Sequence, residues 1–390
     1  MLPASKHGRS GDLPYSTPLF VRHGHVLAGL VANHLDIKQL VPFLNVCRAF
    51  RSVRNVEVDL GSLRNGAHVI DFHALLGSRL NVVACEVIRC SNTHFNDIIT
   101  RCVALRSIRI RSMENTSTGV PGEPFTAIAA AQSLRHLKMK GLKFAPNGHL
   151  AQAPLSPLGS LGSCRTLTHV VLDGDRGWHG RTGIGSLSAC PLLRILELRR
   201  ISLCGEDYDE LSDISCDQSA AAWSLERLGL QDCGLKDEHL SSLASLRLLN
   251  HLDLSLNMEI TSVAALGKCN ALCTLVLTGC KTLTDLTGLS DCPRLAALYL
   301  TFCTQLSDIS PLVACTHLRV VHASKCVNLI DVSDLGRCPS LELLNLRCSG
   351  ATIVPSRPGL RVTFEPGGDR TVGVTSSDEC MLSPLYRLIG

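Results

Sequence analysis

LCTLVLTGCKTLTDLTGLSDCPR (residues 272–294), LAALYLTFCTQLSDISPLVACTH (295–317) and LRVVHASKCVNLIDVSDLGRCPS (318–340) follow one another without a gap, and LELLNLRCSG opens a fourth segment at Leu341. The period is 23 residues. Reading back toward the N-terminus, the opening apolar-x-x-apolar-x-apolar recurs at Leu249, Leu225, Leu193, Leu167, Leu134, Leu105, Val82 and Val53. About twelve coils result, the early ones stretched by loops. A repeat of this length is the mark of a solenoid, in which each unit covers its apolar side with its neighbours.

Each position in the coil has a physical reason. Leu275 and Leu277 alternate with Val276, which places both leucines on one face of a short strand. Leu283, Leu286, Leu289 and Cys292 recur every third residue, a spacing that suits a 3₁₀ turn or short helix with one inward side. Asp285, Asp308 and Asp331 stand just before this return, where a carboxylate can accept backbone N–H groups. No coil can stabilise itself alone, so stacking must supply the stability and both ends need caps.

Cysteine keeps the same register. Cys269, Cys280, Cys292, Cys303, Cys315, Cys326 and Cys338 alternate at intervals of 11 and 12 residues, forming one ladder before the strand and one after it. Cys102, Cys164 and Cys190 extend the earlier ladder; Cys90 and Cys233 extend the later one, where Asn257 once replaces cysteine. Thiol and carboxamide can both serve an inward corner whose backbone groups need a partner. Paired CxxC spacing is absent, so these positions predict structural thiols and no metal site.

This pattern resembles the cysteine-containing subfamily of leucine-rich repeats. Its signature is matched by Cys269, Leu272, Leu275, Leu277, Cys280, Leu283, Thr284 and Asp285, and the resemblance covers roughly residues 53–365. The coil is shorter than that subfamily's usual one, and DISPLVACTHL is more similar to the internalin type. The resemblance implies an α/β leucine-rich-repeat solenoid. Such a solenoid is a right-handed superhelix with a curved parallel sheet on its concave face and short helices or 3₁₀ turns on its convex face, here behind a small N-terminal helical cap.

Residues 1–18 are rich in Pro, Ser and Gly and are expected to be disordered; residues 19–52 carry two helical patterns. Within HLDIKQLVPFLNVCRAFRSV, the residues Leu35, Asp36, Leu40, Val46, Cys47, Arg48 and Phe50 resemble the central part of an F-box. That resemblance implies a substrate receptor of a cullin-based ubiquitin ligase, with Leu35, Leu40, Val46, Cys47 and Phe50 gripping the ligase adaptor. The family's opening Leu-Pro-x-Glu is missing before Val26, and Pro42 interrupts the second helix. A plain cap over the first coil is the other reading. At the far end, LRVTF (360–364) reads as a closing edge strand and residues 366–390 as a tail, whose terminal LSPLYRLI could dock back on the solenoid.

The residues between the inward strand positions line the free face of the sheet. That face begins acidic, at Glu57, Asp59 and Glu86, and turns basic at Arg109, Arg111, His136, Lys138 and Lys140. Later coils present small neutral residues, with Tyr299 and His322 among them. Strands lie about 4.8 Å apart, so the cations share one patch. Such a patch suits an acidic or phosphorylated protein segment, while pairing with Glu86 and nearby loops is the bland alternative. Trp178, in the Gly-rich loop DGDRGWHGRTGI, could be an exposed anchor or pack on the flank.

Bulk properties narrow the class further. Hydrophobic residues make up 45% of the 390-residue chain and aromatics 4%, as expected of a core of stacked aliphatic side chains. A net charge of +4 is too weak to imply nucleic acid. No signal-peptide core and no membrane-length apolar run is present, so the 19 cysteines are expected to be reduced thiols in the cytosol or nucleus. A transit peptide stays open: Lys6, His7 and Arg9 favour it, Asp12 and the prolines oppose it. No Gly-rich phosphate loop, His-x-x-x-His helix or nucleophile elbow occurs, and His23/His25 and His68/His73 are isolated pairs. The expected molecule is a monomeric, non-enzymatic scaffold or adaptor that binds protein on its concave face without a cofactor.

Overall fold

The computed structural model describes residues 55–58, 83–90, 92–102, 104–113, 125, 127–142, 158–174, 182–203, 205–213, 224–244 and 246–364. The repeat openings become strands of one sheet. They are β1 (Asn55–Val58), β2 (Ala84–Cys90), β3 (Ser107–Met113), β4 (His136–Leu142), β5 (His169–Gly174), β6 (Ile195–Arg199) and β7 (Arg227–Gln231). The series continues with β8 (His251–Asp253), β9 (Thr274–Val276), β10 (Ala297–Tyr299), β11 (Val320–His322), β12 (Leu343–Asn345) and β13 (Arg361–Thr363). All 13 strands lie in chain order, each parallel to the next. The fold is a leucine-rich-repeat solenoid.

Register explains why the period is kept. Leu275, Leu298, Val321 and Leu344 stand opposite one another along the sheet, and all four are fully buried. Four returns of the regular coils are 3₁₀ turns: Ala264–Lys268, Thr287–Asp291, Ser310–Ala314 and Ser333–Arg337. Their carboxylates act as expected. Asp285, Asp308 and Asp331 accept the N–H groups of Thr287, Ser310 and Ser333 at 2.9, 2.8 and 2.9 Å.

The two cysteine ladders are hydrogen-bond ladders. Cys303 and Cys326 donate to the carbonyls of Leu277 and Leu300 at 3.2 and 3.0 Å, while Cys292 and Cys315 donate to those of Leu266 and Leu289 at 3.3 and 3.1 Å. Each thiol thus serves a carbonyl 26 residues back, one coil earlier. Asn257 does more at the same position. Its Nδ2 donates to the carbonyls of Leu230 and Leu254 at 2.8 Å each, and its Oδ1 accepts the N–H groups of Cys233 and Leu235 at 3.0 and 3.1 Å. Just before this ladder the backbone turns through the left-handed region at Leu256, Gly279, Phe302, Lys325 and Cys348, with φ from 55 to 78°. This is the geometry that glycine adopts without steric cost.

Among the described residues the irregular coils hold three α-helices, α1 (Asn92–Arg101), α2 (Gly205–Asp213) and α3 (Leu240–Leu243). α2 lies between β6 and β7, in a stretch that carries no repeat opening. GEDYDELSD carries little apolar periodicity, because its anchoring residue is a carboxylate. Asp207 is fully buried and accepts the N–H groups of Thr182 and Gly183 at 2.8 and 3.2 Å and the Thr182 hydroxyl at 2.8 Å. Gly141 and Leu142 belong to β4, and Gly159–Ser163 form a 3₁₀ turn. The F-box-like residues 35–50, the two histidine pairs, Trp178 and the tail 366–390 lie outside the described residues.

Candidate interaction face

On β3 and β4 alternation sends Ile108, Ile110, Leu137 and Met139 into the core and Arg109, Arg111, Lys138 and Lys140 to the free face. Arg109 stands directly opposite Lys138, and His136 sits between Ser107 and His169. These four expected site residues and His136 therefore meet in one block. Just before each strand, Arg106 and Arg135 are exposed at the rim; the Arg106 carbonyl accepts the N–H groups of Arg135 and His136 at 2.8 and 3.0 Å.

The block is partly compensated. Glu86 on β2 lies 2.7 Å from Arg111 Nε and 3.8 Å from Arg109. The excess of positive charge is nevertheless felt at Lys138. Burial, followed by the field of Arg109, Lys140 and Arg199, pulls its ammonium down to about 8, with Glu197 opposing. The His136 and His169 rings lie 4.5 Å apart, and burial together with His136 lowers the pKa of His169. His169 shares the site without having been singled out by sequence. Its place directly across from His136 in the register was the available signal.

Beyond β5 the face is an ordered network of opposite charges. Glu197 pairs with Arg199 at 3.0 Å and Arg227 at 3.7 Å, and Arg227 in turn reaches His251 Nε2 at 3.4 Å. Gly229 leaves room here, since a Cβ would come within 3.2 Å of Glu197 Cγ. Gln231 donates to Asp253, which also accepts the Ser255 N–H at 3.0 Å. His251 is driven down to about 4, first by burial and then by Arg227.

Tyr299 and His322 belong elsewhere. Their rings stack at 5.0 Å with 8° between planes, and Asn345 Nδ2 lies 3.2 Å from His322 Nδ1. Six steps along the sheet, from β4 to β10, separate this stack from the basic block by roughly 29 Å. The structure thus divides the expected site residues into two groups.

The thiols have no place in this chemistry. Burial raises Cys102, Cys292 and Cys326 to about 11 and Cys190, Cys269 and Cys315 to about 12, so they stay protonated, and Cys190, Cys292, Cys315 and Cys326 donate to carbonyls. Among the described residues, no group of three or more His, Cys, Asp or Glu side chains could hold a metal ion. No helix among them is long and apolar enough to cross a membrane.

Neither a protein-family model nor a curated protein matches the chain. Solved structures do. An internalin (inlF) of Listeria monocytogenes is similar at 16% identity and a TM-score of 0.42, over 70% of this chain and 83% of that one. Internalin C2 of the same organism is similar at 22% identity and a TM-score of 0.29, over 41% of this chain and 83% of that one. The parallel sheet, the 23-residue register and the 3₁₀ returns make this chain a leucine-rich-repeat solenoid.

Proposed function

We propose that the chain is a non-enzymatic scaffold or adaptor that captures an acidic or phosphorylated segment of a protein partner on the β3–β4 part of its concave face. One observation carries this reading. Arg109, Arg111, Lys138 and Lys140 project from two adjacent strands, and Glu86 on the neighbouring strand β2 pairs with Arg109 and Arg111. Crowding like charges on neighbouring strands costs stability, and an anionic ligand would offset that cost. The long, hydrogen-bonded sheet holds the cations in place, so little ordering entropy is lost on binding. The free thiols of the core suit the cytosol or nucleus.

The test is affinity capture from cell extract followed by mass spectrometry, comparing the native chain with the charge reversal Arg109→Glu/Lys138→Glu. Partners held by this face should fall at least about tenfold, two desolvated charge contacts being worth that much or more. Unchanged recovery would exclude the site.

A second reading, an F-box-like substrate receptor, is supported by Leu35, Asp36, Leu40, Val46, Cys47, Arg48 and Phe50 in sequence. In that case the same sheet would hold the substrate. Capture of a cullin-ligase adaptor by the full chain, and its loss from a chain beginning at Ser52, would favour this reading over a plain cap.

A further inference from the structure

The shape of the basic block constrains how a ligand can lie on it. Across the sheet the block is two strands wide: opposite Arg109 stands Glu86 on one side, and opposite Lys138 stands Val171 on the other. Along the strands it is deeper. Arg109 and Arg111 on β3, and His136, Lys138 and Lys140 on β4, rise in steps of two residues, and Arg106 and Arg135 continue the charge onto the rim. Two residues of strand advance about 6.6 Å. An extended peptide lying along the strands presents every second side chain on one face with the same advance. A peptide crossing the strands would instead meet cations about 4.8 Å apart and would leave the block after two of them.

Building on the docking reading above, we propose that the β3–β4 block receives an extended acidic peptide running along the strands, with carboxylates at alternate residues. Glu86 marks the geometry that such a carboxylate takes. It sits directly opposite Arg109 yet makes its short contact one level on, at Arg111 Nε, 2.7 Å away. It therefore competes with the ligand for both guanidinium groups. At the level of Ser107 and His136 the His136 and His169 rings lie 4.5 Å apart and tilted by 41°, beside the rim arginines.

Three labelled peptides of equal charge and composition distinguish the outcomes when titrated by fluorescence anisotropy against the full chain. They are Asp-Ser-Asp-Ser-Asp-Ser, Asp-Asp-Asp-Ser-Ser-Ser and Asp-Ser-Ser-Asp-Ser-Asp. The alternating peptide should bind about fivefold more tightly than the blocked one, as expected for one or two lost surface charge contacts. Glu86→Gln should tighten the alternating peptide severalfold, and Arg109→Gln or Lys138→Gln should weaken it. Equal affinity for all three peptides would overturn the lengthwise alternating mode and leave acidic docking standing. Failure of all three to bind would overturn both. Tighter binding of a single-stranded oligonucleotide of equal charge, with a steep salt dependence, would overturn the peptide assignment. The peptide comparison needs no variant, so a misfolded substitution cannot obscure it.

Discussion

Coils β3–β8 and coils β9–β12 share one frame but present opposite faces. In the second group each strand is three residues long, the returns are uniform 3₁₀ turns, and the outward positions are Thr274, Val276, Ala297, Tyr299, Val320 and His322. In the first group β3 and β4 run to seven residues and β5 to six, the connections vary in length, and charges fill the outward positions. Strand length matters because each two residues add another outward level. The level of Arg111 and Lys140 exists only because those strands are long. The comparison teaches that the 23-residue rule governs the buried side, and that departures from it create the chemically distinctive face.

The sharpest break in the comparison is at Asn257, where the regular ladder begins. Replacing it with Ala strands the N–H groups of Cys233 and Leu235 and the carbonyl of Leu230, and leaves the Leu254 carbonyl only the Cys280 thiol. The expected loss is about 3 kcal/mol or more in urea unfolding. Cys303→Ala removes one thiol–carbonyl bond, at 3.2 Å to Leu277, and should cost about 1 kcal/mol. Equal costs would mean that the asparagine is merely another rung.

Acid should discriminate next. His251 titrates at about 4 in the folded chain against an ordinary 6.5, so the unfolded chain binds its proton first. Stability is whole above about pH 6.5 and declines as the pH falls toward 4, by about 2 kcal/mol for a shift of this size in a partly exposed ring. Asp285 and Asp331 are also held below their ordinary value of 3.8, but their contribution is lost only under still more acid conditions. His251→Gln should make the profile shallower between pH 6.5 and 4, leaving the contributions of His169 and His322, whose burial also lowers them. Arg227→Gln should shrink it by relieving the repulsion. An unaltered profile in His251→Gln would assign the acid sensitivity to another group.

The smallest effect is expected on the edge of the regular coils. Leu256 is held at φ 65° although it is a bulky residue, and 43% of it is exposed. Leu256→Gly should raise stability by up to about 1 kcal/mol in thermal or urea melts. Phe302, at the same position one coil beyond Gly279, carries the Lys325 ammonium 4.3 Å over its ring. Its replacement by Gly would lose that contact and should be close to neutral.

The fold was legible because its causes are local and repeated. Leu272, Leu275 and Leu277 recur with the thiols at a period that only a stacked coil satisfies, and the outward-facing set followed from alternation alone. The aspartate turns were equally readable, since each needs only its own backbone neighbours, and Asn257's place on the cysteine ladder was readable from the repeat spacing, although Leu230, Cys233 and Leu235 lie 22 to 27 residues away. α2 was not legible, because Asp207 acts on Thr182 and Gly183 from 24 or 25 residues away and carries no apolar signal. Within the face, sequence placed Tyr299 and His322 on later coils than the basic block, and strand order puts six steps between them.

By itself, then, the sequence determined which residues are buried, which face water, and the order of the strands, because periodicity converts directly into side-chain direction. The distances between side chains on neighbouring strands required the tertiary structure. It set Glu86 against Arg109 and Arg111, brought His169 onto His136, and let Arg109, Lys140 and Arg199 act together on Lys138. Electrostatic energy depends on distances of a few ångströms between charges far apart in the chain, and no spacing along the chain encodes them.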